Sequence, residues 1–152
     1  MEKTWWRVPL YCIVASWICF QLEIRLLGRW ALITLPDGSI SSDNTRWLIM
    51  SACLFVLVVV IGGLFFFRKM SRKEVLVSSL ALIGLNIVLG LLAFAFTAIS
   101  IYWAYLTEWQ SVASQLLLFV TDNRWIHNII IWIVPPLVFV PFGKKEQAES
   151  KS

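Results

Sequence analysis

A chain of 152 residues that is 59% hydrophobic and 14% charged is not an ordinary soluble domain, in which about a quarter of the residues are charged. The mean hydropathy of +0.78 points to a lipid environment. The net charge of +4 comes from where the cations fall between apolar runs, and no basic patch of the nucleic-acid-binding kind is present.

Four apolar runs carry the hydropathy: Val8–Leu27, Trp47–Phe67, Val75–Tyr102 and Ile126–Phe142. A span needs about 20 apolar residues, with roughly 17 the lower limit. The expected fold is an all-α membrane protein: a four-transmembrane-helix bundle in one domain over residues 1–143, followed by a disordered cytoplasmic tail over 144–152. The opening MEKTWWR is a weak positive region and no A-x-A-like site follows the first run, so the first run is expected to stay as a permanent helix.

Along the first span, at about 100° per residue, Cys12, Ser16, Cys19 and Glu23 fall on one narrow stripe. Gln21, Arg25 and Arg29 lie on the opposite side, so Glu23 and Arg25 cannot pair with each other. With the span's midpoint near Trp17, Glu23 lies about 9 Å outward, inside a hydrocarbon half-thickness of about 15 Å. Arg25 can reach the interface along its stem, but a carboxyl at that depth needs a partner from elsewhere. Arg46, Arg124 and His127 are the candidates for an ion pair that locks the bundle.

The loop that follows contains Pro36-Asp37-Gly38, a turn flanked by Ile33-Thr34-Leu35 and Ser39-Ile40-Ser41, so a small hairpin is expected. Asp43 or Asn44 can cap the second helix, where Ser51, Ala52, Gly62 and Gly63 are packing candidates. The short basic loop RKMSRKE makes the second and third helices an antiparallel pair. On the third span Ser79, Asn86, Gly90, Ala93, Thr97 and Ser100 form a seam of small and polar residues.

The next segment, TEWQSVASQLLLFVTDN, places Trp109, Val112, Ala113, Leu116 and Val120 at helical spacing, with Glu108, Ser111, Ser114 and Gln115 on the other side. It predicts a short amphipathic helix on the outer surface or dipping inward, with Thr107 and Gln110 as a capping box. The fourth span opens RWIHN, bringing Arg124, His127 and Asn128 to the same level as Glu23 and Arg25. Pro135 and Pro136 kink its far end. Most of the nine tryptophans (Trp5, Trp6, Trp30, Trp47, Trp103, Trp109 and Trp125) lie at the expected span ends, as interfacial anchors do.

Orientation follows from the cations. With the N-terminus inside, the inner segments hold nine of the 13 lysines and arginines, including every lysine, and the outer segments hold Arg25, Arg29, Arg46 and Arg124. The expected topology is N-in/C-in, in the plasma (inner) membrane.

The chemistry of known motifs is absent. One histidine excludes a bis-histidine haem and an ordinary zinc site, so no metal or cofactor is expected. Cys12, Cys19 and Cys53 contain no C-x-x-C, and no G-x-S-x-G, H-E-x-x-H or P-loop occurs. Four spans with an embedded Glu in the first resemble the layout of small multidrug-resistance transporters. This chain departs from that layout in its two substantial outer segments and in the outward position of Glu23. Three functions follow in order of expectation: an accessory subunit of a larger membrane assembly, a small oligomeric transporter or channel, and an intramembrane enzyme. A transport site would be drawn from Glu23, Arg25, Asn86, Arg124, His127 and Asn128, with Cys12, Ser16, Cys19, Gly90, Ala93 and Thr97 serving helix packing. Expected partners are membrane lipids, another membrane protein or a second copy of the chain, and no nucleic acid.

Overall fold

The computed structural model describes residues 4–117 and 123–145, without the side chains of Leu26, Leu27 and Arg124. It is mostly helical, and four helices are long and apolar enough to cross a membrane: Arg7–Arg25, Asn44–Phe67, Arg72–Ala95 and Trp125–Phe142. In chain order the elements are α1 (Arg7–Leu22), continued by a π-helical turn Glu23–Leu27 and α2 (Gly28–Ala31), then β1 (Leu32–Thr34) and β2 (Ile40–Ser42). There follow α3 (Asn44–Ile61) with a π-helical end Gly62–Phe67, α4 (Arg72–Ala95), α5 (Thr97–Thr107), a 3-10 turn Glu108–Gln110, α6 (Ser111–Leu117) and α7 (Arg124–Leu137).

The hairpin forms as its turn chemistry predicts. Thr34 pairs with Ile40 and Leu32 with Ser42, and Gly38 supplies the required positive φ of 81°. Ser39 donates to Asp37 Oδ1 from its N–H at 2.9 Å and its hydroxyl at 2.6 Å. These bonds hold the Asp37 carboxyl below the usual carboxylate range. Their contribution is present above the carboxyl's unfolded pKa and is lost as pH falls through the lowered folded value. Asp43 caps α3 by accepting from the N–H groups of Thr45 and Arg46. At the opposite, basic end, Ser71 and Glu74 form a full capping box for α4.

Two expectations need correction at that end and in the third span. Lys144 is not part of a free tail: its N–H donates to Met70 O at 2.8 Å and its carbonyl accepts from Arg72 N–H at 3.0 Å. The chain after the prolines therefore ties to the loop before α4; residues 146–152 lie outside the described residues. The run Val75–Tyr102 is not one helix. Residue Phe96 adopts an extended conformation (φ −132°, ψ 111°) and separates α4 from α5. A single helix through Tyr102 would extend about 40 Å, well beyond a hydrocarbon thickness of about 30 Å, and α4 alone already suffices.

The break reverses the chain. Val8 N–H donates to Ser78 Oγ at 2.9 Å, which sets α1 and α4 in register from the basic end. Eight residues further along each, about 12 Å, Ser16 is level with Asn86. Ser16 Oγ donates to Leu106 O at 2.7 Å, so the end of α5 lies level with Asn86, although its start lies beyond Ala95. Thus α5 descends beside α4, the turn Glu108–Gln110 sits midway along α1, and α6 climbs back. At the top of that climb Gln115 Nε2 donates to Ser51 Oγ at 3.2 Å, and Ser114 Oγ is 3.2 Å from His127 Nε2. The segment expected as a surface amphipathic helix is this folded-back unit: its apolar side buries Trp109 and Val112, and its polar side also meets protein. Its predicted cap does not form, because Thr107 Oγ1 donates back to Trp103 O at 3.0 Å. Val120 lies outside the described residues.

The tip of this unit is a wedge. Ser16 Oγ also accepts from Trp109 N–H at 3.4 Å, and the Trp109 ring stacks on Phe55 of α3 at 5.8 Å and packs on Phe139 at 5.6 Å. Phe139, fully buried, meets Tyr11 and Phe67 edge to face, so one aromatic cluster joins α1, the end of α3 and the chain beyond α7. Glycines make room for it: a Cβ on Gly62 would strike the rings of Tyr11, Phe139 and Phe67, and one on Gly63 would strike Phe142. On α4, Gly90 admits the Trp132 ring in the same way. Along the expected seam Ser79, Asn86 and Gly90 are buried and Ala93 is half-buried. It ends there, because Thr97 and Ser100 belong to α5, where Thr97 is exposed.

Removing the Ser16 hydroxyl leaves the Leu106 carbonyl and the Trp109 N–H without their partner in an apolar interior. Ser16→Ala should lower stability by about 1–3 kcal/mol, seen as a reduced unfolding midpoint in detergent, whereas Ser39→Ala in the exposed turn should change it far less.

Candidate functional site

Glu23 opens the π-helical turn and is 4% exposed. The wide turn closes when Gly28 N–H donates to Glu23 O. Only glycine fits there, since a Cβ on residue 28 would lie 2.7 Å from that oxygen. Such turns widen a helix locally and redirect a side chain, and they recur at functional positions. Helical side chains lean toward the N-terminal end, so the Glu23 carboxyl points down α1 toward the tip of the folded-back unit.

There it meets Glu108. The two carboxyl groups lie within hydrogen-bonding reach of each other, and Cys19, one turn earlier on α1, is 2% exposed. The stripe expected on α1 is buried along its length, through Cys12, Ser16, Cys19 and Glu23. What it faces differs from expectation: the partner of Glu23 is a second carboxyl. Arg46 is engaged at the hairpin end, 3.4 Å from Asp43 Oδ2, donating to Trp30 O at 3.1 Å and lying over the Trp30 ring. His127 is occupied by Ser114. Arg25 is exposed on the far side of the helix, as its angular position predicts, and Asn128 is half-buried near the start of α7. The Arg124 side chain lies outside the described residues.

Further buried polar atoms are distributed over α4, the turn Glu108–Gln110 and α7. Among the described residues, buried Asn86 has no partner for Nδ2, Gln110, 1% exposed, has none for either amide atom, and His127 has none for Nδ1. The Nε1 atoms of Trp103 and Trp132, whose rings meet edge to face at 6.3 Å, likewise have no partner among the described residues. Native interiors leave few such groups, and here they are spread from Asn86 near the middle of the bundle to His127 towards the hairpin end. The structure thus keeps Asn86 and His127 buried near the middle and hairpin end but does not join them to Glu23 by a direct bond.

Two carboxyls joined by a hydrogen bond hold one proton between them, because one oxygen must donate. That arrangement can release and retake a proton, or exchange it for a small cation. Among the described residues no cluster of three or more His, Cys, Asp or Glu suits a metal ion. The sequence places Glu108 on the solvated side of a surface helix and Gln110 in its cap; two polar residues flanking a tryptophan, TEWQS, between two apolar runs are the available signal.

No family model matches the chain, and no curated protein or solved structure is similar to it.

Infrared spectroscopy in H₂O and D₂O should detect a protonated, deuterium-sensitive carboxyl at neutral pH. The double substitution Glu23→Gln with Glu108→Gln should remove the band, while Asp37→Asn should leave it.

Proposed function

We propose that this chain is a small proton-linked membrane transport protein, with Glu23 and Glu108 as its proton-carrying pair. The observation that supports this most is the position of the pair, at the tip of a helix that breaks and folds back among helices long enough to span. In hydrocarbon, broken helices are tolerated only where protein covers them or where they line a cavity, and transporters place their sites at such breaks. A buried carboxyl in a span is retained for function more readily than for packing. Asn86, Gln110 and His127 offer the polar atoms along which a proton or small polar solute passes between the ends of the bundle.

The cation distribution supports N-in/C-in topology, with the basic end in the cytoplasm and the hairpin outside. Four helices enclose little volume, so the working unit is an oligomer.

A second reading is an accessory subunit. It is favoured by the hairpin, whose Leu32 and Ile40 are exposed at 49% and 72% beyond the span ends, where a partner's outer surface would cover them. Co-purification of a second membrane protein that Ile40→Lys releases would support it.

Glu23 is supplied by the end of α1 and Glu108 by the turn; Cys19 is buried on α1, and Cys53 on α3 is exposed. In liposomes carrying a pH-sensitive dye, the wild-type protein should pass protons under an imposed potential. Glu23→Gln and Glu108→Gln should each reduce the flux to background, and Cys19→Ser should not. Unchanged flux and unchanged pH dependence in Glu23→Gln would sink the proposal. Topology is checked by thiol labelling of intact cells: Ser39→Cys should react from outside, and Lys69→Cys only after permeabilisation.

A further inference from the structure

A second site lies between α1 and α3. The two helices do not pack against each other along their length: α1 packs on α4 and α5, and α3 packs on α6 and the tip turn. The cause is the wedge, since Trp109 bonds α1 through Ser16 and stacks on α3 through Phe55, holding them apart. Tyr11 Oη bridges the gap by donating to Val58 O at 2.7 Å.

What remains is a cleft of about 540 Å³, within the usual range of roughly 300–1,000 Å³ for a site holding one small ligand. Its walls are apolar: Leu10, Val14 and Ile18 from α1, and Leu57 and Ile61 from α3. It runs from Arg7 to Leu22, about 22 Å at 1.5 Å per residue, long enough to take a chain that enters at the surface and reaches past the bilayer middle.

The mouth has a different character. Trp6 and Arg7 line the cleft at the basic end. Arg68 and Lys69, exposed just beyond the last α3 residues that line it, add cations at the same end. An apolar slot with a tryptophan and cations at one end matches an amphiphile with an anionic head and a long hydrocarbon tail.

We infer that the cleft between α1 and α3 binds an anionic phospholipid, one acyl chain lying along Leu10, Val14 and Leu57 and the phosphate held at Arg7 and the neighbouring cations. The site rests on the membrane placement of the bundle and is independent of the proton-carrying pair. It also gives the wedge a consequence: the residue that anchors the folded-back unit opens the lipid slot on its other side.

Native mass spectrometry of the full chain in mild detergent, after exchange into phosphatidylglycerol or phosphatidylcholine, tests it. Phosphatidylglycerol should be retained about fivefold better per engaged cation. Arg7→Gln should reduce that preference while still holding a lipid, and Leu57→Trp, at an exposed wall position, should release both lipids from a protein that elutes as the wild type. Should Leu57→Trp fail to fold, Val14→Trp fills the slot from the opposite wall. Equal retention of the two lipids by the wild type overturns the proposal, as does full retention in a folded Leu57→Trp. So does disulfide crosslinking of two copies through Leu57→Cys, which would mean that a second chain occupies the cleft. Proton flux that survives lipid loss leaves the two sites separate, whereas failure of the flux experiment does not touch this one.

Discussion

The serine hydroxyl at position 16 is the contact on which the rest of the arrangement depends. A chain that turns within an apolar medium exposes peptide groups that no water can satisfy, and each one left bare costs a few kcal/mol. Ser16 answers both sides of the turn, donating to the Leu106 carbonyl and accepting from the Trp109 N–H. With those groups paired, the turn Glu108–Gln110 can lie halfway along α1, and Trp109 can fill the space between α1 and α3.

Everything of functional interest radiates from that turn. One residue before Trp109 is Glu108, aimed at Glu23; one residue after it is Gln110, buried with its amide unpartnered among the described residues. The wedge separates α1 from α3 and so opens the cleft, while its ring meets Phe139 and ties the tip to the basic end. A single folded-back element thus supplies a carboxyl to the first span, a polar side chain to the interior and a spacer to the lipid face. Glycines at 62, 63 and 90 matter for the complementary reason, since they leave space for the aromatic rings of Tyr11, Trp132, Phe139 and Phe142.

The location of the cations and the location of the carboxyls follow opposite rules. Arg25, on the side of α1 away from the stripe, is exposed, and Arg46 is held within the hairpin end by Asp43 and Trp30. Such groups can remain near water on long stems. Glu23 has a short stem and a buried position, and a second acid lies beside it where an arginine would have made a structural ion pair.

The sequence by itself determined the four spanning helices, because about 20 apolar residues in a row have few other uses, and it determined the hairpin, because Pro36-Asp37-Gly38 dictates its own turn. It also determined that Glu23 and Arg25 face apart, since helical geometry alone separates residues two positions from each other. It could not determine the reversal at Phe96: an apolar run of 28 residues reads the same whether it continues or doubles back, and only the packing of α5 against α1 and α4 chooses. With the reversal hidden, TEWQS read as a solvated surface and the partner of Glu23 was sought among cations. Tertiary structure decided that partner, because a contact between residues 23 and 108 depends on how far the chain descends after α4, and no local pattern of residues encodes that depth.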